Sequence, residues 1–199
     1  MNDRQPTSIE SVLPADFVRG ECAIRHLLPQ DYDWVMGLWL EPANLMTYRF
    51  AGVAPNPDQF VQRLWAGVAA QYVIHRTNRP LERYGLVTLY NRERDAEHCG
   101  IALVLSEEAR GIGWPFVGAG LAIEHWFRVT RCNKIWAEVP AWNLPLLDGI
   151  RLFGFVEEGV QRDHEWLDGR LWDRHLFALF RRDWEAGRPL WDRPRPPQD

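Results

Sequence analysis

Residues 106 to 120, "SEEARGIGWPFVGAG", hold the residue types in this chain best suited to chemistry. Gly111 and Gly113 stand where an apolar, strand-like run gives way to a helix-like one. Glycine lets a backbone approach a ligand closely, and the first N–H groups of a helix lack intrahelical partners and carry the positive end of its dipole. A loop of this kind suits a phosphate or pyrophosphate group. Arg110 precedes it, Ile112 lies inside it, and Trp114 and Pro115 close it. Proline fits the first helical turn but brings no N–H, so the loop is one donor short. A tight strand-to-helix turn with no ligand is the competing reading.

The flanking pattern supplies the elements that must hold this loop. "ECAIRHL" (21 to 27) alternates as a strand does, and "DYDWVMGLWL" (31 to 40) has helical spacing. "NPDQFVQRLWAGVAA" opens with Asn56 as N-cap and Pro57 at the first helical position. Strand-like runs follow at 71 to 75, 84 to 90 and 98 to 105. A helix from Pro115 to about Val129 and a strand "KIWAEV" (134 to 139) come next. A short helix then runs from Asn143 to a stop at Gly154. Asp168-Gly169 joins two final strands as a hairpin. The order β-α-α-β-β-β-α-β-α-β-β indicates one α/β or α+β domain with a mixed sheet.

The chain has 199 residues and a formal charge of −4, so no global field draws DNA or an acidic membrane. Cys22, Cys99 and Cys132 share no metal-like spacing and read as ordinary reduced thiols. The polar start lacks a secretory signature, which makes the cytoplasm the expected compartment. Residues 1–20 read as a lead-in, 21–184 as the domain, and 185–199 as a solvated tail rich in Pro and Arg. The Arg181-Arg182 pair reads as solvated, and Trp136 and Trp142 read as core residues ahead of pocket walls. The aromatic content leaves room for a homodimer patch.

"LVLSEEARGIGW" resembles the acyl-CoA loop of the GNAT N-acetyltransferases, Arg/Gln-x-x-Gly-x-Gly/Ala after a strand and before a helix. Asn143 after "KIWAEV", with "LFGF" ending twelve residues later, is similar to the branch of ribosomal-protein-alanine N-acetyltransferases. The resemblance implies a mixed, largely antiparallel twisted sheet with helices on both faces. It also implies acetyl-CoA or another acyl-CoA held by Leu103, Leu105, Arg110, Gly111, Ile112, Gly113, Trp114 and Asn143. The acceptor it implies is an amine of a small molecule or a peptide.

The catalytic positions depart from that pattern. Gly100 stands where the related branch often has a carboxylate, Ile150 where it has a Tyr, and Leu146 where it has a Ser. A protonated amine must still lose a proton before it attacks a thioester. His98, on the same strand face as Gly100, and Glu138, on "KIWAEV", are the candidates for that role. Two other readings keep the fold: a transferase using aminoacyl-tRNA as donor, and a catalytically silent binding domain.

Overall fold

The computed structural model describes residues 17–45, 56–93, 97–111, 113–143 and 149–187. Eight strands form one sheet in the order β1-β2-β3-β4-β5-β6-β8-β7. They are β1 (Val18–Arg19), β2 (Cys22–His26), β3 (Val68–Arg76), β4 (Arg79–Glu93), β5 (His98–Leu105), β6 (Lys134–Pro140), β7 (Val156–Leu167) and β8 (Arg170–Phe180). Every neighbouring pair is antiparallel except β5 and β6. The sheet is thus mixed and largely antiparallel, as the resemblance implied.

Helices cover both faces. On one lie α1 (Tyr32–Leu40), α2 (Pro42–Leu45) and α3 (Pro57–Trp65). Val35, Leu38, Trp39, Phe60 and Leu64 of α1 and α3 are buried against Val73, Leu86 and Val104 of the sheet. The opposite face is covered by α4 (Pro115–Val129), whose Leu121, Ile123 and Trp126 join Tyr72, Ile74 and Val87. Gly118 is needed where α4 crosses β3, because an added Cβ would come within 2.7 Å of Ile74. That close approach lets the helix dock directly on the sheet, but only with small residues at the contact.

Local signals in the sequence set several of these boundaries. Pro115 begins α4, and Gly154 ends the helical residues 149–152 in the left-handed region at φ 86°. Asp168 and Gly169 both have positive φ, 51° and 76°, the backbone of a type I′ turn. Other readings need correction. The packed fold starts before residue 21, since Phe17 is buried in the core and Val18–Arg19 pairs with β2. Arg181 is no solvated side chain: it donates to the carbonyls of Phe127, Thr130 and Cys132 at the end of α4. Cys99 and Cys132, far apart in sequence, bring their sulfurs to 3.7 Å. Most of the tail lies outside the described residues.

A buried ion cluster ties α1 to the sheet. Asp31, fully buried, accepts two hydrogen bonds from Arg25 at 2.6 and 2.8 Å, and the Arg83 guanidinium lies 2.9 Å away. Burial by itself would push the Asp31 carboxyl up. The bonds from Arg25 and the Leu28 N–H, with the charge of Arg83, outweigh it and hold the group below the usual carboxylate range.

Candidate active site

The parallel pair β5–β6 is in register only from His98↔Lys134 to Gly100↔Trp136, while β5 stays paired with β4 as far as Leu105↔Gly85. Beyond Gly100 the two strands part in a V. Ser106 donates its N–H to the Tyr84 carbonyl on the β4 side. Alternation therefore turns the main-chain groups of Ile101, Leu103 and Leu105 toward the β6 side, where the ladder has ended. Five residues at about 3.3 Å each give an edge of roughly 16 Å, which suits an extended pantetheine arm.

The glycine loop sits at the open end of that V. Gly111 adopts φ 77°, a conformation that strains any L side chain. An added Cβ at Gly111 or Gly113 would meet nothing within 4 Å, so the space outside both is open. Among the described residues the N–H groups of Gly111, Gly113 and Trp114 have no hydrogen-bond acceptor. Trp114 turns from the mouth, its indole meeting Tyr84 edge-on at 4.9 Å with Arg76 5.7 Å from its ring. Three unpaired donors, open space at two of them and a helix N-terminus lie together, the features a pyrophosphate site uses. Ile112 lies outside the described residues.

Arg110 acts as a strut for this loop. Its guanidinium donates to Asn44 Oδ1 at 2.8 Å and to the Leu105 carbonyl at 3.3 Å, and lies 3.6 Å from Glu41. Glu41 also accepts the Glu107 N–H at 3.1 Å, and Asn44 donates to the Leu38 carbonyl. Burial raises the Glu41 carboxyl above its ordinary range, more than the Glu107 N–H and Arg110 pull it down. Glu41 and Asn44 were missed in the sequence because 66 residues separate each partner pair. No periodicity or motif marks such a contact.

At the closed end of the V, the structure explains the missing carboxylate. A Cβ on Gly100 would come within 2.6 Å of the Tyr90 ring and 2.8 Å of the Trp136 ring. The two rings pack edge to face at 5.1 Å across it. Trp136 thus stands at the V and also lines a cavity with His98, which corrects its reading as a core residue. Glu138 is engaged elsewhere, bonded to Arg174 at 2.9 Å. Asn143 ends a short 3-10 turn, Ala141–Asn143, and Leu146 beyond it is outside the described residues. Ile150 is buried in the core, so an apolar residue is what its position calls for.

No protein-family model matches the chain. A curated relative, the uncharacterized N-acetyltransferase p20 of Bacillus licheniformis, is 30% identical over 98 residues, covering 43% of this chain and 55% of the relative. The chain spans about half the length of that relative. Among solved structures, spermidine N-acetyltransferase from Vibrio cholerae in complex with CoA and spermine superposes with a TM-score of 0.73 at 19% identity, covering 83% of this chain and 98% of the other. The chain has the GNAT N-acetyltransferase fold.

A dodecameric structure of the Vibrio cholerae enzyme matches at TM-score 0.68 and 19% identity, over 80% of this chain and 94% of that one. Nothing in these likenesses singles out the ribosomal-protein branch. Within the GNAT fold, the V between β5 and β6 and the glycine loop at its mouth are the features that distinguish this sheet from a plain meander. Among the described residues no group of His, Cys, Asp and Glu is placed to hold a metal ion, and no helix is long and apolar enough to cross a membrane.

Proposed function

We propose that this protein is an N-acyltransferase that moves an acyl group, acetyl in the simplest case, from acyl-CoA to the amine of a small molecule. The observation that carries it is the trio of N–H groups at Gly111, Gly113 and Trp114 with no acceptor among the described residues, beside the open space at the two glycines and at the head of a strand edge that has parted from β6. Those donors would hold the pyrophosphate, and the main chain of Ile101 and Leu103 would register the amide-bearing arm. The donor, when bound, supplies a thioester-activated acyl group. The fold shared with an acetyltransferase solved with CoA, and the partial likeness to a second acetyltransferase, support the reading. Arg110, through Asn44 and Glu41, keeps the loop in place, so it would act on binding indirectly.

Calorimetry with acetyl-CoA, coenzyme A and total tRNA tests this. Both CoA species are expected to bind more tightly than millimolar, and tRNA not to compete. Gly113→Trp is the decisive variant: nothing crowds a Cβ there, so the fold tolerates it while the indole fills the anion's place. Charge-assisted bonds are worth about 1.5–3 kcal/mol each, so losing even one weakens binding at least about tenfold. Unchanged affinity in this variant, or binding of charged tRNA alone, would overturn the proposal.

A further inference from the structure

We infer that the cavity on the far side of Trp136 receives the acceptor as a small primary alkylammonium, and that His98 takes the proton this ammonium must lose. The inference rests on the acyl-CoA reading and extends it to the second substrate. A cavity of about 640 Å³ opens between the start of β3, the end of β4 and the start of β5, bounded by Gly67, Asn91, Arg92, Glu93, His98 and Trp136. That volume is of small-molecule size. Trp136 is shared: it walls the cavity and covers Gly100 at the last rung before the V opens. An acyl group delivered down the edge Leu105 to Ile101 therefore arrives beside the cavity wall.

The lining selects a cation. Glu93 offers an exposed carboxylate, Asn91 an amide, and Trp136 an aromatic surface of the kind that attracts ammonium groups. Arg92 is the opposing charge, but its guanidinium is drawn 5.5 Å over the Trp126 ring of α4, on the other face of the sheet.

His98 is left as the proton acceptor by its surroundings. Gly100 has no room for a carboxylate, and Glu138 is bonded to Arg174. Lys134, opposite His98 on β6, is bonded to Glu158 at 2.9 Å. The charged groups neighbouring His98 are thus Glu93 from β4, Lys134 from β6 and Glu97 beside it, the Arg92 guanidinium being turned to the other face. Its Nδ1 is buried and has no hydrogen-bond partner among the described residues, so no bond at that nitrogen fixes the tautomer. The ring can take up a proton without first giving up a partner.

The overall balance is an ammonium and a thioester giving an amide, a thiol and one proton. The N–C bond forms as the C–S bond breaks, the sulfur leaving as the thiol with the amine's second proton. His98 accepts the first proton, which the ammonium sheds to expose its lone pair, and passes it to solvent.

The test follows thiol release from acetyl-CoA with n-butylamine, and with a peptide bearing a free amino terminus, from acid to alkaline pH. Butylamine is expected to be the better acceptor. His98→Gln, and His98→Asn as a second variant, lower kcat by about 100-fold. Both remove the acid limb of the kcat/KM profile and leave acetyl-CoA binding by calorimetry unchanged, which also shows that the variants fold. Glu93→Gln raises KM for butylamine with kcat preserved. A wild-type rate and pH profile in both His98 variants overturns the base assignment, and transfer to the peptide alone overturns the alkylamine class. If the wild-type chain binds no acetyl-CoA, the donor reading itself has failed, and that result is distinct from either.

Discussion

At Gly100 a missing side chain allows Tyr90 and Trp136 to meet over the last rung of the β5–β6 ladder, and the consequence is chemical: position 100 itself brings no acid to the point of the V. Residue-scale choices of this kind also govern stability. Asp31 is buried between two guanidiniums, and Asp31→Asn leaves both without their counter-charge. Breaking a buried ion pair from one side costs about 3–5 kcal/mol, so the denaturant midpoint should fall accordingly. The same carboxyl sets an acid dependence. Its folded-state pKa lies below the unfolded value, so its contribution is complete above about pH 4 and is lost as pH falls through the depressed value. Wild type should lose stability in that acid window, and the Asp31→Asn variant should lose less there. A parallel pH titration of unfolding free energy measures both.

Among the elements, α4 anchors the site, since the loop donors lead directly into its first turn and its body is packed on the sheet. Its other end is held by Arg181, whose guanidinium reaches the Thr130 carbonyl at 2.8 Å and the Cys132 carbonyl at 2.6 Å, with the Phe127 ring 5.0 Å beneath. Arg181→Ala strips these last carbonyls of their donor and should cost about 1.5–3 kcal/mol, a drop of several degrees in Tm. Arg181→Lys should recover only part of it, because a lysine ammonium lacks the planar fork that spans several carbonyls. Calorimetric melting curves of the two variants decide the point. The start of α4 was legible in the sequence, since Pro115 at a first helical position is a local constraint. Its far cap was not, because Arg181 lies about 50 residues from the groups it serves.

Across the molecule, the β7–β8 hairpin forms one edge of the sheet and leaves Val156, Val160, Trp166 and Leu171 exposed, Trp166 by 70%. An exposed sheet edge carrying apolar side chains is a surface on which copies of a chain pair. Trp166→Glu should lower the mass seen in sedimentation without lowering Tm, since the indole contributes little to the monomer core.

What the sequence determined by itself was local: strand alternation, the Asp-Gly turn, the helix starts, and a glycine loop between a strand and a helix. Each depends on backbone torsions or periodicity within a few residues. Where β5 parts from β6, which ring fills the place of an acid, how Glu41 and Asn44 grip Arg110, and which side of Trp136 is open were decided only in three dimensions. Those features come from pairs of groups far apart in the chain, and a contact across 36 to 66 residues leaves no spacing to read.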